Sequence, residues 1–301
     1  MLNSTSANEV LTRASQKRNR DFLGGLKTFA RREPVGLVCA LAVIMFLVVA
    51  TFGPWIRPYS EYDIVGTRLD GPSSEHLLGT DNNGRDVLSR VIMGARVSML
   101  VGFFSVAIGT LSGAFLGIAS AYIGGKFDLY VQRFVDAKQA MPTLILAMIL
   151  VTLLGTGMWA AVIAIGILGI GSGSRVVRSS VLSIKEEMYI EAARAVGAST
   201  PRVMFKHVFP QVIPLIIVLA SISIPGAISI EASLSFLGLG VQPPTPSWGN
   251  MLSGPARTYM EVAPWLVLGP GVAISLVVLA YNLLGDSLRD TLDPRLRGSR
   301  K

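Results

Sequence analysis

Five stretches of this chain, 35–53, 97–125, 141–174, 211–230 and 262–285, hold almost no ionisable side chains. A helix needs about 20 consecutive apolar residues to cross a hydrocarbon core of roughly 30 Å. Windows of this kind make the chain an all-α, polytopic integral membrane protein. The first window lies behind a long hydrophilic tail and is long enough to span, so it reads as a span and not as a cleaved leader. The single cysteine, Cys39, falls inside it. No intrachain disulfide can form, and Cys39 reads as a small hydrophobe in a helix.

The window 141–174 is either one long helix or two short ones broken at Gly155-Thr156-Gly157, and charge separates the two readings. With two helices, the tail, 121–140, 172–210 and the C-terminus share one side and carry 7, 3, 6 and 5 basic residues, 21 in all. The other side, 54–96 and 231–265, carries 6. A single helix would throw eleven of the inner basic residues outside. The excess of Lys and Arg on cytoplasmic loops therefore favours six spans with both termini in the cytoplasm. They lie at about 35–53, 97–119, 141–155, 158–173, 211–230 and 264–284. Topology accounts for the net charge of +8, and no nucleic-acid partner is needed to explain it.

The domain plan follows. Residues 1–34 form a cytoplasmic tail, 35–285 a six-span unit with a cytoplasmic loop at about 174–210, and 286–301 a cytoplasmic C-terminal tail. In the first tail Phe22, Leu23, Leu26 and Phe29 share a helical face opposite Lys27, Arg31 and Arg32. That pattern reads either as an interfacial helix on membrane lipid or as a solvated tail.

Gly102, Gly109, Gly113 and Gly117 recur in the second span at spacings that let helix backbones approach closely. Pro214 and Pro225 in the fifth predict kinks or local unwinding. No Lys, Arg, Asp, Glu or His falls in a span centre, where each would cost roughly 2.5–3.5 kcal/mol. The expected lining of any pathway is therefore apolar, Ser, Thr, Gly and backbone. His76 and His207 fall on opposite sides in this topology, so no metal site follows. A phosphate-binding loop is missing too, since Gly124-Gly125-Lys126 is followed by Phe127. The chain reads as no enzyme and as having no cofactor of its own.

One inner segment, EAARAVGASTPRVMFKHVFP (191–210), is more elaborate than a connector needs to be. Ala192, Ala193, Ala195 and Val196 make a compact helical surface, with Glu191 near its start and Arg194 outside. Gly197 lets the chain turn away. Thr200 and Pro201 read as the N-cap and first residue of a second short helix, 202–209, ending at Pro210. A small-residue knob between two short helices suits insertion into a groove on another protein. A self-packed loop is the alternative.

Glu191-Ala192-Ala193, then three residues, then Gly197, and thirteen positions later Pro210, resembles the EAA loop of ATP-binding-cassette importer permeases. That family's pattern ends Ile-x-Leu-Pro, where this chain has His207-Val208-Phe209-Pro210. His in that place is usual in the dipeptide, oligopeptide and nickel branch. HLLGTDNNGRDVLSRVIMGARVSMLVG (76–102), SFLGLGVQPPTPSWGNML (235–252) and GDSLRDTLDPRLRG (285–298) resemble the same branch, and the whole looks like its C-type permease subunit.

The resemblance implies a type I importer permease fold and a place in a bacterial cytoplasmic membrane. It implies ATPase-coupling roles for Glu191, Ala192, Ala193, Gly197, His207 and Pro210. Its expected partners are a homologous second permease, two cytoplasmic ATPase subunits that hold ATP and Mg, and an extracytoplasmic solute-binding protein. The expected cargo is a peptide or peptide-like solute. Asp81, Gly84, Arg85 and Asp86 then either meet the binding protein or the pathway mouth, or only hold their turn-rich loop rigid. Trp248 is placed at headgroup level. Arg289, Asp290 and Asp293 read as ATPase contacts or a solvated tail. A stand-alone secondary transporter and a non-transporting scaffold or sensor are the remaining classes. Uncharged span centres, only six spans and no visible repeat speak against the first, and Gly-rich, Pro-bearing helices against the second.

Overall fold

Pro34 opens the first helix, where its missing N–H is an orphan donor in any case. The computed structural model describes residues 33–292, so the segment expected as an interfacial helix and the last residues, Asp293 included, lie outside it. Helices α1 (Pro34–Ile56), α2 (Val87–Ile123), α3 (Gly125–Gln139), α4 (Thr143–Leu154) and α5 (Met158–Ile184) come first. There follow α6 (Met188–Ala195), α7 (Thr200–Val203), a π turn (Met204–Val208), α8 (Phe209–Phe236), α9 (Trp248–Met251), α10 (Pro255–Thr258) and α11 (Trp265–Leu292). Among the described residues there is no strand, only an isolated bridge between Thr80 and Asp86.

Among the described residues, five helices are long and apolar enough to cross a membrane, or six if the bent pair α3–α4 counts as one span. The break at Gly155–Gly157 falls where the charge count required it. Both glycines there have positive φ, 88° and 130°, which stops α4 and lets α5 start in a new direction.

In α1 only Gly36, Cys39, Val43, Phe46, Ala50 and Gly53 are buried, a stripe at spacings of three and four. Val35, Val38, Leu41 and Met45 stay exposed, as suits a helix with one face in lipid. The central pair is α2 against α5, held by the glycine stripe. A Cβ on Gly109 would lie 2.8 Å from the Gly166 carbonyl oxygen, and one on Gly113 2.8 Å from that of Ile170. These approaches are to backbone, which cannot yield, so the glycines set the interhelical distance.

Two features differ from the expectation at the fifth span. The helix begun at Thr200 does not end at Pro210. It widens into the π turn, where the Phe209 N–H donates to the Met204 carbonyl five residues back, and continues as α8. A proline ring crowds the preceding turn and supplies no N–H, and a wider turn absorbs both defects. Ser199, not Thr200, is the N-cap. Pro214 and Pro225 lie within α8 without interrupting it, so the helix does not unwind there.

Candidate functional site

The 188–210 segment is anchored by its apolar side. Ile190 is fully buried with Val181 of α5, Ala114 and Ile118 of α2, and Val203 and Val208 of the following turn. Both arms of the loop are thereby pinned to the same end of the α2–α5 pair. The other side of α6 is free: Met188 is 84% exposed and Val196 85%, and Ala192 and Ala195 are exposed between them. These positions recur at the helical spacing of three and four, so they form one outward stripe. Exposed apolar side chains gathered on a short polar loop mark a contact surface.

Gly197 makes the knob possible. Its φ is +81°, and it occupies the left-handed position after the helix. The Ala198 N–H bonds the Ala193 carbonyl at 3.0 Å and the Gly197 N–H that of Arg194 at 2.9 Å, the paired closure of a Schellman motif. Arg194, expected outside, folds back onto α2. Its Nε donates to the Tyr122 hydroxyl at 3.1 Å, with the guanidinium 5.0 Å from the ring centre. Glu191, Ala192, Ala193 and Gly197 belong to one rigid unit. His207, half-buried, and Pro210 belong to the helix that carries it.

At the opposite end of α2, the loops 57–86 and 237–264 form a cap. Asp86 is the N-cap of α2 and accepts from the Ser89 N–H at 2.7 Å. Its other oxygen meets His76 Nδ1 at 3.1 Å. Asp81 accepts from the backbone N–H groups of Asn83 and Arg85 at 2.7 and 3.0 Å. Gly84 turns with φ +79° against the Gly66 backbone. The carboxylates of Asp81 and Asp86 are thus spent on the loop itself. Arg90 joins the two loops, donating to the Glu61 carbonyl at 3.0 Å and to the Pro244 carbonyl at 3.5 Å.

Trp248 points inward, not outward to lipid headgroups. It is 1% exposed, edge-on to Phe46, with its indole N–H on the Val91 carbonyl at 2.9 Å. A Cβ on Gly94 would come within 2.9 Å of its ring. A short turn with a Ser247 capping box drives the indole into the bundle.

Between these ends lies a cavity of about 550 Å³. Ser105, Thr110, Thr143, Ser172 and Ser223 contribute its hydroxyls, and Gly109, Gly169, Gly173 and Gly226 its bare backbone. Most of the lining has the expected chemistry. Two side chains do not: Lys138 and Gln139 also line the cavity. Sequence alone placed Lys138 in the inner segment, outside the third span. Helix α4 has only 12 residues, about 18 Å at 1.5 Å each, and meets α3 at a bend of 98°. The residues at the elbow, 139–145, are exposed, whereas Lys138 at the end of α3 is half-buried and its Nζ donates to the carbonyls of Ile167 and Leu168 of α5, both at 2.8 Å.

A second charge was missed in the same way. Glu231, one residue past the expected end of the fifth span, is fully buried within α8. It accepts from Ser98 at 3.0 Å and from Ser235 at 2.7 Å. Both charges lie near helix ends, Lys138 one residue before the end of α3 and Glu231 five residues before the end of α8. Among the described residues, no group of three or more His, Cys, Asp or Glu side chains could hold a metal ion.

Residues 113–298 match the family described as binding-protein-dependent transport system inner membrane component. The chain is 42% identical over 273 residues to the glutathione transport system permease protein GsiD of Escherichia coli O157:H7, covering 89% of each. It is 41% identical over 269 residues to the dipeptide transport system permease protein DppC of Alkalihalophilus pseudofirmus, covering 89% of this chain and 88% of that one. Its fold is similar to a chain of the MetNI methionine ABC transporter in an inward-facing conformation. The TM-score is 0.55 at 19% identity, over 67% of this chain and 96% of the other.

Proposed function

The chain belongs to the binding-protein-dependent transport system inner membrane component family, and from that premise we propose that it forms half of an import pathway for peptides or peptide-like solutes. Membership makes it a permease subunit of the inner membrane, with no catalytic role of its own. ATP and Mg belong to two cytoplasmic ATPase subunits, the other half of the pathway to a homologous second permease, and solute capture to an extracytoplasmic binding protein. The relatives named for glutathione and dipeptide transport support the solute class.

The observation that carries the coupling role is the exposed apolar stripe on α6, closed by Gly197 and pinned through Ile190 to α2 and α5. Glu191, Ala192, Ala193 and Gly197 form the knob that enters a groove on an ATPase subunit, with His207 and Pro210 on the helix behind it. When ATP draws the ATPase pair together, the knob moves with its groove. Its rigid attachment passes that motion to the bundle, where packed helices shift between discrete arrangements. The loop at about 174–210 and both termini then face the cytoplasm, as the distribution of basic residues favours. Asp81, Gly84, Arg85 and Asp86 shape the outer cap, and the internal bonding of both aspartates supports a positioning role over direct contact with the binding protein.

The test is reconstitution. The two permeases, two ATPases and binding protein in proteoliposomes should accumulate a labelled dipeptide only with ATP and binding protein both present. Accumulation driven by an ion gradient without ATP would support a secondary transporter instead.

A further inference from the structure

Lys138 is a cation on the wall of a cavity, and among the described residues it has no carboxylate partner. Its neighbours in sequence and space are paired off without it: Asp136 with Arg175 and Arg133, Asp128 with Arg178. Lys138 has three donors. Two are directed to the Ile167 and Leu168 carbonyls, leaving one donor and the full positive charge without an anion. A half-buried charge without a counter-ion is costly, and the α5 backbone holds the ammonium in place through those two bonds. Apart from Gln139, the rest of the wall is apolar, hydroxyl or bare backbone, which offers a solute hydrogen bonds without a second charge.

We propose that Lys138 is an anion-recognition point of the translocation cavity, taking the carboxylate of a passing peptide-like solute. The substrate class rests on the proposed function; the anion preference does not. A carboxylate is common to all unblocked peptides, so this contact admits the class without reading side chains. Two carbonyl bonds keep the ammonium in place, and a single remaining donor gives one charge-assisted hydrogen bond. One such bond grips the solute without trapping it. Lys138 would thus favour anionic and zwitterionic solutes over cationic ones.

The test uses the assembled complex with Cys39→Ser to remove the native thiol and Ser223→Cys to place a reporter on the cavity wall. The probes are two methanethiosulfonates of similar size, one sulfonated and one quaternary-ammonium. With Lys138 present, the anionic reagent should react preferentially. Lys138→Gln should lower the anionic-to-cationic rate ratio by about five- to tenfold, the effect of one charge at several ångströms in a wet cavity. Lys138→Arg should retain the preference. A ratio unchanged in Lys138→Gln overturns the proposal. High salt should also erode the preference in the protein with Lys138 intact, a measurement that needs no variant at that position; a salt-independent ratio overturns it equally. Uptake of a labelled dipeptide by the same complexes separates the two readings. Failure of the Lys138 protein to import it argues against peptide cargo while the rate ratio still reports the anion site.

Discussion

The Ser98 hydroxyl on α2 donates to the Glu231 carboxyl on α8 at 3.0 Å, and both residues are wholly buried. The network extends from there. The Trp248 backbone N–H reaches Ser98 Oγ at 3.4 Å, Ser235 Oγ donates to the carboxyl, and the Val241 N–H bonds Ser235 Oγ at 3.0 Å. One carboxyl therefore fastens two spans and the loop that caps them. Replacing Glu231 by Ala strands two buried hydroxyls, a loss of about 1–3 kcal/mol. Glu231→Gln keeps an acceptor in place and should lose less. Thermal unfolding of the purified complex should rank wild type above Gln above Ala, and an Ala variant as stable as the Gln variant would contradict this role.

The glycine stripe makes a sharper contrast. In Gly113→Val the new side chain meets the Ile170 carbonyl and the Ser174 N–H, both backbone. Overpacking of this kind costs about 1–3 kcal/mol, so assembly or thermal stability should fall. Gly271→Ala, in α11, meets nothing within 4 Å. It should be neutral or slightly stabilising, since Ala favours a helix interior over Gly by roughly 0.5–1 kcal/mol. Equal effects from the two substitutions would show that the α2–α5 contact is not set by backbone approach.

Much of this fold was legible in the sequence, and the omissions share a cause. Uncharged windows gave the spans, the Gly155–Gly157 break divided the third from the fourth, and the glycine spacing announced close packing. The packing of Lys138 and Glu231 was not foreseen because each lies within three residues of a window's edge. Hydropathy cannot tell a helix that ends there from one that continues. Pro210 read as a stop because sequence rules assume α geometry, and a π turn evades them. Trp248 read as interfacial because its flanks are polar and proline-rich, whereas its ring fills the space left open at Gly94. The Ala-rich knob and Gly197 were legible because a left-handed turn after a short helix has its own residue signature.

Topology can be tested directly. In a protein carrying Cys39→Ser, Ser74→Cys should react with an impermeant thiol reagent from outside intact cells, and Ser199→Cys only after permeabilisation. The expectation rests on 21 basic residues against 6. Labelling of Ser199→Cys in intact cells would invert the orientation and remove the knob from the ATPases.

Solute selection should divide between components. Apart from Lys138 and Gln139, the cavity wall is apolar, hydroxyl or backbone. Strong discrimination requires buried polar groups that the wrong ligand leaves unpaired, and this wall offers few. Exchanging the binding protein for one of related fold and different peptide preference, still able to dock, should change which peptides enter. Transport that keeps its original preference would place a selective site in the permeases.

The central claim is that the knob at 188–197 transmits the work of the ATPases to the spans. Gly197 has φ +81° and open space around it, so Gly197→Val acts through backbone strain, on the order of 1–2 kcal/mol, and not through a clash. The measurement is peptide uptake and ATP hydrolysis, side by side, in proteoliposomes holding the complete complex with Gly197→Val. The variant should insert and assemble normally and still hydrolyse ATP, with uptake reduced to a small fraction of wild type. A Gly197→Val complex that assembles and imports at the normal rate contradicts the account.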